Sequence, residues 1–296
     1  MIDSRCGLHC TGCEWKESNG CGGCIETNGH PFHGECPIAI CCQNKGLAHC
    51  GECDVMPCEQ LYAYSYLDPE HGDKPQGTRV EVCRRWAAEA GKQAWGNVLL
   101  TSGGFFDNNN PRTALIDKFA AMLKIPFDKA KVLFIPTASM MPGYTNLSYA
   151  EQCKNNLLLL GVNPEKIATH DVDGTLAEKD AMTFDVIFFT GGNTPYLAKR
   201  VRETGFDHII KKMVYANKVY VGISAGSMLA MPNFNIDNLP QNTPMEFAGL
   251  SLINAYFTVH CPPGTPSRSD LPLPHIPLTD QQAIAVSWQG YEIIED

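Results

Sequence analysis

Along its second two thirds the chain alternates short runs of consecutive apolar residues with longer amphipathic stretches, which is how a buried parallel sheet and its covering helices look in sequence. Val98–Thr101 is a first strand running into Ser102-Gly103-Gly104, and residues 112–124 make a helix that ends before Pro126. Lys131–Ile135 is the next strand, with Pro136–Ser139 as its loop, and residues 146–160 give a helix stopped by Gly161. Lys166–His170 and Asp185–Thr190 read as strands, separated by a helix over 175–182. After Gly191-Gly192-Asn193 a helix starts with Thr194 as its cap and Pro195 in its first turn. A helix over 207–216 then leads to the strand Val219–Ile223. Farther on lie a strand, Ala255–Val259, and a closing hairpin turned at Gln289-Gly290. The rhythm predicts an α/β fold with a mostly parallel sheet and helices on both faces. Its ligands would collect at the carboxyl ends of the strands.

Residues 1–92 follow no such rhythm. Of the 14 cysteines, 12 lie between Cys6 and Cys83. Three Cys-x-x-Cys pairs, Cys10/Cys13, Cys21/Cys24 and Cys50/Cys53, stand among Cys36, Cys41, Cys42 and Cys58. Such a pair sets two thiolates on one edge of a tetrahedron, so the composition predicts a small metal-stapled domain over 1–92 and a second domain over 93–296, with 91–96 as linker. The candidate ligands are Cys10, Cys13, Cys21, Cys24, Cys36, Cys41, Cys50, Cys53 and Cys58; zinc leads and an iron–sulfur cluster follows. Tyr62, Tyr64 and Tyr66, with acidic neighbours and no interleaved arginine, read as packing residues. A helix-like run covers 80–90.

A net charge of −9 without a basic block argues against nucleic-acid backbone binding. Lacking any membrane-length apolar run or signal-peptide core at its start, the sequence predicts a cytoplasmic protein.

The chemistry converges on Gly222-Ile223-Ser224-Ala225-Gly226, a Gly-x-Ser-x-Gly turn between a strand and a helix. That context lifts a serine hydroxyl out of the sheet and aims the next backbone N–H at a developing oxyanion. Gly192, on the same predicted rim, is the candidate second donor. His260, closing a strand and opening a proline-rich segment, is the candidate base, with His275 as competitor. Asp237 leads as the acid that orients it, ahead of Asp270 and Glu246. No Gly-x-Gly-x-x-Gly fingerprint calls for a dinucleotide.

Thr190-Gly-Gly-Asn-Thr194, Val221-Gly-Ile-Ser-Ala-Gly226, His260 and Gln282-Ala-Ile together resemble the dipeptidase E (aspartyl dipeptidase) and cyanophycinase family of serine peptidases, over residues 97–296. The resemblance implies a class I glutamine amidotransferase-like α/β fold and a serine peptidase cleaving small peptides without a cofactor. Its implied triad is Ser224, His260 and Asp237, with Gly192 and Ala225 in the oxyanion hole. Asn193 and Arg268 would bind substrate, Arg268 serving an acidic P1 side chain. Val259 and Cys261 stand where that family usually has a proline and an aromatic residue. Residues 3–90 are similar to small cysteine-rich bacterial domains of unknown function, through Cys6-Gly-Leu-His-Cys10, Cys21-Gly-Gly-Cys24, Gly34-Glu-Cys36-Pro-Ile38, His49-Cys50-Gly-Glu-Cys53 and Pro57-Cys58. The implied partners are a small peptide substrate, a protein bound by the front domain, and a second copy of the chain as a homodimer. The competing expectation is a non-catalytic metal-binding or regulatory protein that keeps a peptidase-like scaffold.

Overall fold

The computed structural model describes residues 2–91, 97–143, 145–238 and 245–296. The chain divides into two compact units, Met1–Ala94 and Trp95–Asp296. The boundary expected at 92/93 and most of the expected linker lie outside the described residues.

The front unit is built of short helices, the longest being Pro37–Asn44 and Thr78–Glu89. Its small core gathers Ile38, Cys42, Met56, Leu61, Val80, Cys83 and Trp86. So few large apolar side chains leave much of the ordering to polar brackets. The Arg5 guanidinium donates to the carbonyls of Leu47 and Ala48 at 3.0 and 2.9 Å. Arg79 donates to the carbonyls of Tyr64 and His71 and pairs with Asp73 at 3.1 Å. Tyr62 and Tyr66 are buried with ring centroids 4.9 Å apart, whereas Tyr64 is exposed and carries the Arg79 guanidinium over its ring.

In the second unit, strands β1 (Val98–Thr101), β2 (Val132–Ile135), β3 (Ile167–Thr169), β4 (Val186–Phe189) and β5 (Val219–Ile223) form a parallel core. A short parallel pair, β6 (Tyr256–Thr258) and β7 (His275–Pro277), lies apart from the main sheet. The terminal hairpin β8 (Gln282–Ser287) and β9 (Gly290–Glu295) joins the sheet antiparallel to β1, completing the order β9-β8-β1-β5-β4-β2-β3.

β1, β2, β4 and β5 are buried along their whole length, which is why they read as unbroken apolar runs rather than as alternation. On one face Phe105, Phe119, Phe134 and Phe188 pack with Leu115 of helix Thr113–Leu123 and Leu157 of helix Leu147–Leu159. The other face stacks Phe189 on Tyr220 at 5.1 Å; helices Thr194–Glu203 and Phe206–Tyr215 bury Leu197, Val201, Ile210 and Met213 outside the first cluster. Each of these large side chains contributes about 1.5–3 kcal/mol by leaving water.

Two local expectations are corrected. The helix expected over 175–182 is the single turn Glu178–Ala181, because the polar Asp173–Thr175 segment closes its own side-chain turn through Asp173 Oδ1. The cap of helix Thr194–Glu203 is Asn193 rather than Thr194: its side-chain oxygen accepts the Tyr196 N–H at 2.8 Å. Helix Thr113–Leu123 is capped from afar, the Asp296 carboxylate accepting the N–H groups of Ala114 and Leu115 at 2.7 and 3.1 Å. Asp296→Ala is expected to cost about 1 kcal/mol of second-unit stability in a denaturant melt. Among the described residues no helix is long and apolar enough to cross a membrane.

Candidate active site

Parallel strands end on one rim, and the rim of this sheet carries the segments after β1, β2, β4 and β5. The turn after β5 is tight. Ser224 has φ 48° and ψ −106°, a conformation held by what surrounds it. A Cβ at Gly222 would lie 2.5 Å from the Gly226 carbonyl, and one at Gly226 would lie 2.5 Å from Phe189 Cβ, so only glycines let strand and helix approach this closely. The buried Ser227 hydroxyl donates to the carbonyls of Thr101 and Gly222, and Tyr220 donates its hydroxyl proton to the Gly226 carbonyl at 2.5 Å. The elbow is thereby fastened to β1 and β5.

Ser224 Oγ lies 2.8 Å from His260 Nε2. His260 follows β6 with φ 58°, and its backbone N–H donates to Ser102 Oγ at 2.7 Å. The carboxylate facing its other nitrogen is Asp280, with Oδ1 at 2.5 Å from Nδ1. Ser102, fully buried at the end of β1, donates to the same Asp280 oxygen at 3.0 Å. One hydroxyl therefore fixes both the histidine backbone and the carboxylate.

Asp237, the acid expected from the sequence, does not reach His260. Its side chain is 85% exposed and its Oδ1 accepts from Arg268 at 2.8 Å. Asp270, ranked behind it, holds the same Arg268 at 2.8 Å, so that guanidinium is already flanked by two carboxylates. His275 is occupied as well: Nδ1 accepts the Arg268 N–H at 3.1 Å and Nε2 meets Thr258 Oγ1 at 2.9 Å. Asn193 spends its side-chain oxygen on the helix cap.

Sequence reasoning missed Asp280 and Ser102, and one signal pointed to both. A strand antiparallel to β1 starts on the rim where β1 ends, so residues just before β8 meet those just after β1; the Ser102 N–H indeed donates to the Gln282 carbonyl at 3.3 Å. Burial pushes the Asp280 carboxyl up, but hydrogen bonds from His260 and Ser102 and the charges of His260 and Arg112 outweigh it, leaving the group below the usual aspartate range.

The Gly191-Gly192 turn is pinned by the loop after β2. Ser139 donates its hydroxyl to the Gly191 carbonyl at 2.8 Å, and the Asn193 N–H donates to the Ala138 carbonyl at 2.8 Å. Gly192 has φ 137°, and a Cβ there would lie 2.2 Å from the Ala138 carbonyl oxygen. A Cβ at Gly191 would meet the Tyr149 hydroxyl at 2.8 Å and Ser224 Cβ at 3.1 Å, which puts that tyrosine, also unforeseen, beside the serine. Burial pushes the Tyr149 hydroxyl well above its ordinary pKa, so it is a neutral group next to the turn.

Eleven of the twelve cysteines of the front unit line two cavities, and the twelfth, Cys83, is buried in its core. Cys6, Cys10, Cys13, Cys21, Cys24 and Cys36 line one cavity, and Cys41, Cys42, Cys50, Cys53 and Cys58 line another. Among the described residues, no three Cys, His, Asp or Glu side chains converge closely enough to hold one metal ion.

A mostly parallel α/β sheet with a serine, a histidine and a carboxylate in hydrogen-bonding line at its carboxyl rim has the architecture of an α/β hydrolytic enzyme. The profile of Peptidase family S51 matches residues 98–287, and the chain belongs to that family. Residues 2–63 match a protein family of unknown function, DUF3795. An uncharacterized peptidase of Pasteurella multocida (strain Pm70) is 30% identical over 136 residues, 44% of this chain and 64% of that protein. An uncharacterized peptidase of Listeria monocytogenes serovar 1/2a is 39% identical over 104 residues, 34% and 49% of the two chains. A peptidase E of Shewanella amazonensis is 34% identical over 137 residues, 45% and 56%. The chain thus spans between about half and just under two thirds of these relatives. A crystal structure of a Listeria monocytogenes EGD-e protein assigned to peptidase E shares the fold, with TM-score 0.51 and 24% identity over 68% of this chain and 98% of that one.

Proposed function

We propose that the second unit is a serine peptidase that cleaves small peptides through Ser224, His260 and Asp280, in the manner of dipeptidase E. The observation that carries this reading is the unbroken line Ser224 Oγ–His260 Nε2, 2.8 Å, and His260 Nδ1–Asp280 Oδ1, 2.5 Å. His260 takes the hydroxyl proton as Ser224 Oγ attacks the scissile carbonyl carbon. The negative oxygen that forms is held by the N–H groups of Ala225 and Gly192. As the C–N bond breaks, His260 passes the proton to the leaving amine, and an ester on Ser224 remains. Water, deprotonated by the same imidazole, then releases the acid and restores the serine. Asp280 keeps Nδ1 protonated and Nε2 free to accept, and its lowered pKa keeps it ionised at neutral pH. None of these steps needs a cofactor.

An acidic P1 preference through Arg268 would require a substrate carboxylate to compete with Asp237 and Asp270 for the same guanidinium. Small peptides, with no acidic requirement at P1, are therefore the substrate class. The test is a fluorophosphonate probe with peptide mapping, alongside a dipeptide library that includes N-terminal aspartyl members. Modification confined to Ser224, with turnover of at least one dipeptide, is the expected result. Silence in both assays, or labelling at another residue, would overturn the proposal.

Gly192→Ala is expected to lower kcat on the order of 10²–10³-fold, the cost of displacing one oxyanion donor. The added methyl cannot share space with the Ala138 carbonyl, so the turn must shift. Steady-state kinetics on a responsive dipeptide, with thermal unfolding as a control for folding, checks it.

A further inference from the structure

We infer that the front unit binds an iron–sulfur cluster of the four-iron, four-sulfide kind, held by thiolates drawn from Cys10, Cys13, Cys21, Cys24 and Cys36. The inference is independent of the peptidase reading.

The space beside the sulfurs is large for a single ion. Four thiolates about 2.3 Å from a single zinc ion stand roughly 3.8 Å from one another and leave almost no void. Here the thiols line one side of a partly open cavity of about 120 Å³, where roughly 10–15 Å³ by the same kind of measure holds one water. The eight heavy atoms of a cubane fill on the order of 100 Å³ at interior packing density. Four cysteines are what such a cluster needs.

The cavity wall has the matching chemistry. Beside the sulfurs, apolar side chains make most of the wall, with Trp15 and Phe32 stacked at 5.4 Å and an interplanar angle of 7°; Ser4, Lys16 and His33 are its polar members. Two backbone donors point at the sulfurs: the Arg5 N–H lies 3.3 Å from Cys24 Sγ and the Gly23 N–H 3.4 Å from Cys21 Sγ. Such donors stabilise anionic sulfur and set a cluster's potential. Gly12 and Gly23, at φ 75° and 73°, supply the left-handed turns that the Cys10–Cys13 and Cys21–Cys24 knuckles use. The second cysteine group differs. It encloses only about 20 Å³ and contains the close Cys42–Cys50 pair, with sulfurs 3.5 Å apart. The zinc suggested by cysteine spacing is therefore one of the outcomes tested for the first cavity.

The experiment uses the full chain purified under nitrogen, with iron, acid-labile sulfide and zinc measured per chain and visible and EPR spectra recorded before and after dithionite. The expected result is about four irons and four sulfides per chain, with broad visible absorption that bleaches on reduction. Cys10→Ser and Cys21→Ser should each lose most of the iron and sulfide, while Cys153→Ser, in the second unit, should keep them. Should the front-unit variants fail to fold, the apo wild type is incubated under nitrogen with equal amounts of ferrous and ferric iron, sulfide and a small thiol, or with zinc alone. Uptake of stoichiometric sulfide supports the inference; uptake of zinc without sulfide overturns it. Stoichiometric zinc without labile sulfide in the nitrogen-purified protein overturns it too, as does a cluster lost with Cys53→Ser but kept with Cys10→Ser and Cys21→Ser.

Discussion

Ser224→Ala is expected to lower kcat against the best dipeptide by on the order of 10⁵–10⁶-fold, with KM changed only a few-fold. The substitution removes one oxygen atom and nothing else from the elbow. Ser227 and Tyr220, which fasten that turn, are untouched, so the strained backbone at residue 224 should persist and thermal unfolding should shift little. What disappears is the atom 2.8 Å from the imidazole, and with it any ester intermediate. Residual hydrolysis would come from binding and the oxyanion donors alone. Single-turnover and steady-state assays on matched preparations check this. Near-wild-type turnover in the variant would sink the serine mechanism outright.

The second large effect separates two aspartates. Asp280→Asn should cost roughly 10³–10⁴-fold in kcat, because an amide opposite Nδ1 no longer enforces the tautomer that leaves Nε2 free, nor stabilises an imidazolium. Asp237→Asn should change kcat less than about 3-fold, since that side chain is exposed and pairs with the Arg268 guanidinium rather than with His260. The pH dependence follows from the lowered Asp280 pKa. A depressed carboxyl contributes stability that is present above the unfolded value, near 3.9, and is lost as pH falls through the lower folded value. Acid titration of stability should therefore be shallower in Asp280→Asn than in the wild type. If Asp237→Asn is the crippled variant instead, the histidine is oriented differently from what the hydrogen bonds indicate.

The contrast between these aspartates marks how far the sequence could be read. The strands were legible because burial on both faces makes each a continuous apolar run, and Val98–Thr101 and Val219–Ile223 lie where their residues predict. The approach of residues 224 and 260 was legible because each ends a strand. Asp280 was hidden because its neighbourhood comes from an antiparallel pairing between segments some 180 residues apart, as the Ser102–Asp280 bond records. Nothing local distinguishes it from Asp237 or Asp270. The same limit explains the cap: asparagine and threonine are both cap-forming types, and only the observed bond from the Tyr196 N–H shows that the helix uses Asn193 rather than the expected Thr194. In the front unit spacing sets Cys10, Cys13, Cys21 and Cys24 together but assigns Cys36 to the later cysteines; Cys36 instead lines the first cavity, because that placement depends on where Trp15, Phe32 and the backbone of Arg5 come to rest.

The Ser102 hydroxyl belongs to the sheet, yet it orders both the histidine and the aspartate that arrive on either side of the stretch from Cys261 to Thr279. Alignment of the reacting groups is thereby delegated to the rigid centre of the unit and withdrawn from the proline-rich span that arches between them. That span is an exchangeable part: grafting a different sequence between Pro262 and Pro272 should redraw which peptides are accepted while the speed of bond breaking on a shared minimal substrate stays the same. Removing the Ser102 oxygen should do the reverse, slowing every substrate alike.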